Sequence, residues 1–200
     1  MTSDSAPQVS FCIPTYNRCR YLASLLESLV AQLAGFPFTY ELVIADNAST
    51  DATAETIAAY ADRLPIRALR HTTNIGGYGN WQFVLAQAAG RYVVYVADDD
   101  SILGEQVASA VAKMEADPEL GVVYAPWLLF DLVAQQSQGQ FFTVPHDLRI
   151  ERNQHVQLLD HVLRHHIFPE IQIIRRDVPR RRCRASTSTR SSPSSMPPTT

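Results

Sequence analysis

The sequence predicts an α/β domain, a mainly parallel sheet with helices on both faces, and three observations carry that prediction. Short apolar runs alternate with segments whose apolar residues fall three and four apart, in the order β-α-β-α-β-α-β-α-β as far as residue 124. The strand-like runs are almost continuously apolar, as strands covered on both faces are. The polar clusters 14–18, 46–51, 71–80 and 98–100 each follow a strand. In such sheets ligands bind beyond the carboxyl ends of the strands, so these clusters are expected along one edge.

The elements follow in order. Val9-Ser-Phe-Cys-Ile13 is a first strand, ended by Pro14-Thr-Tyr-Asn17. Leu22, Leu25, Leu26, Leu29, Val30 and Leu33 mark a helix from about Arg20 to Leu33, stopped by Gly35 and Pro37. Tyr40–Ala45 is a second buried strand, and Ser49 or Thr50 can cap the helix that then runs to about Arg63. Ile66–Arg70 is a third strand, and the loop 71–77 leads into a helix through Trp81, Val84, Leu85 and Ala88. Arg91–Ala97 is the central strand, followed by a helix from about Gly104 to Ala116 and a strand Val122–Tyr124. Beyond it, Trp127–Phe130 and Phe141–Val144 read as strands joined by the polar run Gln135–Gln140. Asn153–His166 has helical spacing, and Ile171–Ile174 reads as one more strand.

Two hundred residues fit one domain with a substantial core, and 46% hydrophobic with 18% charged residues reads as soluble and globular. The formal charge of −3 hides an asymmetry: residues 1–174 hold ten Lys and Arg against nineteen Asp and Glu, and the rest seven Arg against one acid. An acidic folded part argues against nucleic acid as a partner. Cys12, Cys19 and Cys183 form no CxxC pair, which fits a reducing, cytoplasmic setting rather than a disulfide framework or zinc knuckle. The longest apolar stretch, Leu120–Ala134, is broken by Gly121, Pro126 and Asp131, too short and interrupted for a transmembrane segment. Residues 1–8 and 176–200 are expected to be disordered, the second because Ser, Thr and Pro dominate it from Ser186 onward. Between them, 9–175 reads as one domain, expected to be incomplete through a truncated or frame-shifted end.

The stretch with most chemical content is Asp98-Asp99-Asp100 at the end of the central strand. Adjacent carboxylates repel, and a divalent cation that also takes substrate phosphates relieves the repulsion. A solvated acidic loop is the plainer alternative, and the other three polar clusters on the same edge favour the metal–phosphate reading.

Four blocks then carry a resemblance: Ile13-Pro-Thr-Tyr-Asn-Arg18, Val43-Ile-Ala-Asp-Asn-Ala-Ser-Thr-Asp51, Asn74-Ile-Gly-Gly77 with Asn80, and Gly90–Asp100. Across roughly residues 9–103 they resemble the nucleotide-sugar half of an inverting family 2 glycosyltransferase with the GT-A fold. The resemblance implies transfer of a sugar from a nucleotide-diphosphate donor to a glycan, lipid-linked or small acceptor. It implies that Pro14, Thr15, Tyr16, Asn17 and Arg18 line the nucleotide pocket, with the Tyr16 ring available for stacking. Asp46 would accept from the base N–H, and Asn47 would be a further contact or a turn former. Asn74, Gly76, Gly77 and Asn80 would lie beside the nucleotide. Asp98 would meet the ribose and the metal shell, and Asp100 would ligate Mg²⁺ or Mn²⁺; Asp99 is structural or functional.

The general base that inversion needs is unassigned, with Asp131, Asp147, Asp160 and Glu170 all available. His161 and His165, four apart with His155 and His166 near, read as a solvated helix face before a metal site. Trp127 and Phe141-Phe142 read as packing before an acceptor platform. The Arg-rich stretch 175–184 reads as tail, with contact to acidic lipid at the inner face of the membrane as the alternative. Two rival functions stand: a non-catalytic remnant that at most binds nucleotide, and a nucleotidyltransferase. The second is disfavoured because the loop after the first strand is Thr-Tyr-Asn rather than a Gly-rich phosphate loop.

Overall fold

The computed structural model describes residues 6–124, 128–131, 136–140, 148–151, 153–165 and 172–176. The chain runs through β1 (Val9–Thr15), α1 (Cys19–Gln32), β2 (Tyr40–Asp46), α2 (Thr53–Ala59), β3 (Ile66–Arg70), α3 (Gly77–Ala86), β4 (Tyr92–Tyr95), α4 (Gly104–Ala116) and β5 (Val122–Tyr124). It continues through β6 (Leu128–Asp131), β7 (Gln136–Gln140), α5 (His155–His165) and β8 (Gln172–Arg175). Six strands form one sheet in the order β3-β2-β1-β4-β8-β5, and β6 and β7 form a separate ribbon. β1 pairs in parallel with β2 and with β4, and β2 in parallel with β3. β8 enters between β4 and β5, antiparallel to both.

Side-chain alternation along the strands sorts the core into two layers. Phe11, Ile13, Leu42, Ile44, Tyr92 and Val94 pack under Leu22, Leu25, Leu26 and Leu29 of α1, Ile57 of α2, and Val107, Val111 and Met114 of α4. The intervening residues Cys12, Val43, Ala45 and Val93 pack on the other face under Val84 of α3 and Ala88. Helices therefore cover both faces, as predicted. Burial pushes the Cys12 thiol up to about 12, so it behaves as a core residue rather than a nucleophile.

Several boundaries differ from expectation. The polar run Gln136–Gln140, expected as a connection, is itself a strand paired with β6. Residues 136–139 are exposed, and a ribbon outside the main core needs no apolar alternation to hold its backbone bonds. Phe141–Val144, Trp127, Asp147 and Glu170 lie outside the described residues, as do residues 1–5 and 177–200. Gln8, expected in a disordered terminus, is anchored: its N–H donates to the Thr39 carbonyl at 2.8 Å and its Oε1 accepts from Thr39 N–H at 3.2 Å. α2 ends at Ala59, four residues early, because Tyr60 to Leu64 close in tighter turns onto the start of β3.

Arg175 and Arg176 also depart from the tail reading. Arg175 is 3% exposed, and its guanidinium donates to the carbonyls of Met114, Asp117 (3.1 Å) and Leu120 (2.9 Å). A cation there satisfies the orphan carbonyls at the C-terminal end of α4 and complements its dipole. Arg176 donates to the Ala88 carbonyl. β8 and the residue after it are thus tied to α4 and to the chain just before β4, and both arginines bond backbone carbonyls of the fold.

Gly104, the first residue of α4, is required by close approach. A Cβ there would meet the Gln32 carbonyl oxygen at 2.0 Å, and its N–H donates to Gln32 Oε1 at 3.0 Å. Gly104→Ala should therefore push α4 off the end of α1 and destabilise the fold by about 1–3 kcal/mol or more. Urea unfolding at neutral pH reads this as a lower midpoint; an unchanged midpoint would contradict the packing.

Candidate functional site

The parallel register sets the site. Thr15 lies opposite Asp46, Asp46 lies opposite Arg70, and the Val96 N–H continues the ladder by donating to the Cys12 carbonyl at 3.0 Å. The loops after β1, β2, β3 and β4 consequently leave the sheet at one level.

The loop after β1 is bolted to the loop after β2. Asn17 takes a left-handed φ of 53°, a conformation asparagine tolerates better than most residues. Its N–H donates to Ser49 Oγ at 2.9 Å, and its Oδ1 accepts the Thr50 N–H at 2.7 Å. Ser49 and Thr50 are thereby spent on this junction, and Asp51 takes the capping role instead. One Asp51 oxygen accepts the Cys19 N–H (3.0 Å) at the start of α1, the other the Thr53 N–H (3.1 Å) and hydroxyl at the start of α2. A single carboxylate thus serves two helix N-termini, where orphan N–H groups and dipoles favour negative charge.

The loop after β3 is fastened just as tightly. Asn47, 2% exposed, donates to Asn74 Oδ1 (3.0 Å) and the Gly76 carbonyl (3.3 Å) and accepts the Ile75 N–H (2.9 Å). Asn74 Oδ1 also accepts the Gly76 N–H at 2.8 Å, and Gly76 turns into α3 with a φ of 83° that favours glycine. Gly77 is the first residue of α3. Asn80, again 2% exposed, donates to the Ala45 carbonyl at 2.8 Å, while its Oδ1 lies 3.1 Å from His71 Nε2. Asn17, Asn47, Asn74 and Asn80 therefore fix loop shape with the polar groups that the sequence offers for ligand contact.

The remaining residues predicted for the site stand at the same edge. Tyr16 is 43% exposed at the mouth of the β1 loop. Asp46 is 2% exposed; its Oδ1 accepts the Ser49 N–H at 2.9 Å, but its Oδ2 has no hydrogen-bond partner and only a 3.4 Å ion pair with Arg70 Nε. A buried carboxylate oxygen left in that state is ready to accept from a donor group. Asp98 is 5% exposed, and burial raises its carboxyl above the ordinary range, partly offset by the Thr15 hydroxyl and the Arg18 guanidinium. Arg18 Nη1 lies 3.1 Å from Asp98 Oδ1 and 2.6 Å from Asp99 Oδ2. Asp100 is exposed at the end of the turn, its N–H bonded to the Ala97 carbonyl at 3.1 Å.

The hard-oxygen donors of Asp98–Asp100, with a guanidinium standing in as cation between two of them, suit Mg²⁺ or Mn²⁺ that shares its shell with phosphate. Among the described residues no three His, Cys, Asp or Glu close a metal cage of their own. Sequence reasoning missed Ser49, Asp51 and Arg70 as site builders. Arg70 was the most findable, since Asp and Arg end consecutive strands. On α5, His161 is half-buried, and Asp160 is held by Arg164 at 2.8 Å.

The family model described as glycosyl transferase family 2 matches residues 10–180. The chain belongs to glycosyl transferase family 2. Within it, the chain is 39% identical over 108 residues to poly(ribitol-phosphate) beta-N-acetylglucosaminyltransferase TarS of Staphylococcus aureus, covering 53% of this chain and 18% of TarS. It is 34% identical over 114 residues to abequosyltransferase RfbV of Salmonella typhimurium, covering 56% of this chain and 34% of RfbV. Among solved structures, S. aureus TarS 1-349 in complex with UDP superposes with a TM-score of 0.53 at 34% identity, covering 58% of this chain and 34% of that one. The mannosyltransferase PcManGT of Pyrobaculum calidifontis with GDP-Man and Mn²⁺ gives 0.52 at 27% identity, covering 61% and 36%. The chain thus spans about a fifth to a third of these curated relatives. No helix among the described residues is long and apolar enough to cross a membrane.

The double cap generates a pH prediction for this family 2 site. Burial tends to raise Asp51, but the Thr53 hydroxyl and the Cys19 and Thr53 contacts outweigh it and hold the carboxyl at about 2. A carboxyl depressed in the folded state stabilises above its unfolded pKa, about 3.9, and that stabilisation is lost as pH falls towards 2. Asp51→Asn should therefore be less stable than the native chain at pH 7, with the gap closing between pH 4 and 2. Thermal melts across that range would show a pH-independent gap if Asp51 were not the cap.

Proposed function

We propose that this chain carries the donor site of a glycosyltransferase that binds a nucleoside-diphosphate sugar at the carboxyl edge of β1, β2 and β4. The observation that carries the reading is the buried Asp46 carboxylate with one unsatisfied oxygen, on one side of β1, facing the same edge as Asp98–Asp100 on the other. Asp46 Oδ2 accepts a base N–H, Tyr16 offers the base a ring to stack on, and the diphosphate lies towards Arg18 and the aspartates. The similar structures of TarS with UDP and with UDP-GlcNAc, and of PcManGT with GDP-Man, support a nucleotide-sugar donor.

Loss of the sugar leaves negative charge on the nucleoside diphosphate. A divalent cation held by Asp98 and Asp100 would supply Lewis-acid stabilisation of that charge. Arg18, at the same corner, is the chain's own cation for the phosphates. The acceptor is a glycan, lipid-linked or small hydroxyl compound, and its proton goes to a general base outside the groups assigned above. A donor-binding unit without turnover is the second reading, since the groups assigned above include no general base.

Incubation with UDP-, dTDP-, GDP- and CDP-sugars and Mn²⁺, with and without candidate acceptors, tests both readings. Release of nucleoside diphosphate supports the enzyme; nucleotide binding without release supports the second reading, and no binding overturns both. Asp46→Ala should weaken nucleotide binding by roughly 10- to 100-fold, the worth of a hydrogen bond to a charged group. Asp100→Ala should abolish the dependence of nucleotide binding on Mn²⁺; calorimetric titration that shows the dependence intact would contradict the metal assignment.

A further inference from the structure

Asp99 has no task in the donor reading, yet it makes the shortest ion pair at the site. One nitrogen, Arg18 Nη1, holds both Asp98 at 3.1 Å and Asp99 at 2.6 Å, so a single displacement frees both carboxylates. The Arg18 side chain is 47% exposed, which keeps the pairs weak enough to break and leaves solvent to turn through. Its backbone need not move: Arg18 is the N-cap residue of α1 and makes no side-chain cap, while its carbonyl accepts the Leu22 N–H at 3.0 Å. The Tyr21 ring, 5.8 Å from Arg18 Cζ, offers the guanidinium a second surface to rest on.

We propose that Arg18 is a resident counter-cation, anchored by Asp99, that keeps Asp98 neutralised until a nucleoside diphosphate draws the guanidinium onto its phosphates and frees the carboxylates for a divalent cation. This rests on the donor-site reading above and adds an order to it. A divalent cation arriving alone meets a guanidinium already on its carboxylates and is repelled. A diphosphate arriving first gives that planar guanidinium a bidentate partner. Nucleotide and metal therefore bind cooperatively, the release of Arg18 adding to the coupling that a shared metal–phosphate contact gives, and each raises the affinity of the other by the same factor.

The test needs no turnover. Mn²⁺ binding to the native chain and to Arg18→Gln is followed by electron paramagnetic resonance without nucleotide. Affinity for UDP, GDP, CDP and dTDP is then measured by calorimetry with Mn²⁺ and with EDTA. In the native chain Mn²⁺ should tighten the preferred nucleotide about tenfold or more. In R18Q, Mn²⁺ alone should bind several-fold more tightly, nucleotide in EDTA more weakly, and the coupling ratio should fall several-fold below that of the native chain. Arg18→Ala repeats the comparison, so that a folding defect in one variant, visible by circular dichroism, leaves the other. Coupling undiminished in both variants, with Mn²⁺ affinity unchanged or weaker, overturns the role of Arg18 and leaves the donor reading standing. Nucleotide binding that ignores Mn²⁺ in the native chain overturns this proposal and the metal assignment together, but not the nucleotide site.

Discussion

The polar edge of this protein depends on the register of β1, a strand paired in parallel on both sides. A parallel pair fixes the height at which each strand leaves the sheet. Because Thr15 stands opposite Asp46 and Cys12 opposite Tyr95, three loops emerge at one level without any long connection to bring them there. A one-residue slip would turn Phe11 and Ile13 away from α1 and separate Asp46 from the aspartates beyond β4. Fold stability and site geometry are therefore the same constraint.

Given that edge, the remaining problem is electrostatic. Asp46, Asp51, Asp98, Asp99 and Asp100 crowd a corner with two arginines, Arg18 and Arg70, that face it. The protein resolves the crowding locally. Asp51 is absorbed by helix starts, Asp46 by a loop N–H and Arg70, and Asp98 with Asp99 by Arg18. Four asparagines hold the loops rigid enough for these pairings to persist. A site organised this way suits the proposed donor, with a hydrogen-bonding base at one end and negative phosphates at the other.

The elements up to β5 were legible because strands buried on both faces leave nearly unbroken apolar runs, and the turns between them are polar. The placement of β8 was not, since nothing local to residues 172–175 tells that they pair between β4 and β5, nor that Arg175 closes the end of α4. β7 was misread as a connection because its Gln and Ser residues carry no strand pattern; only pairing with β6 makes it one. In the site, residue types announced a polar edge but not their division of labour. Asn80 reads as lying beside the nucleotide and Asn47 as a ligand contact or a turn former; the amides of both are committed to loop groups. Ser49 and Thr50 read as caps, but the Asn17 turn claims them first.

A nucleotide seated at the carboxyl edge of β1, β2 and β4 is the central expectation for this protein. Backbone amide chemical shifts followed while UDP and GDP are titrated in, with Mn²⁺ replaced by Mg²⁺ to avoid paramagnetic broadening, locate it directly. Perturbations are predicted at 15–18, 46–51, 74–77 and 98–100, fading along α1 and α3. Shifts centred instead on the hollow of about 530 Å³ at the opposite end of the sheet, lined by Phe36, Phe38, Tyr40 and Pro65, would contradict it.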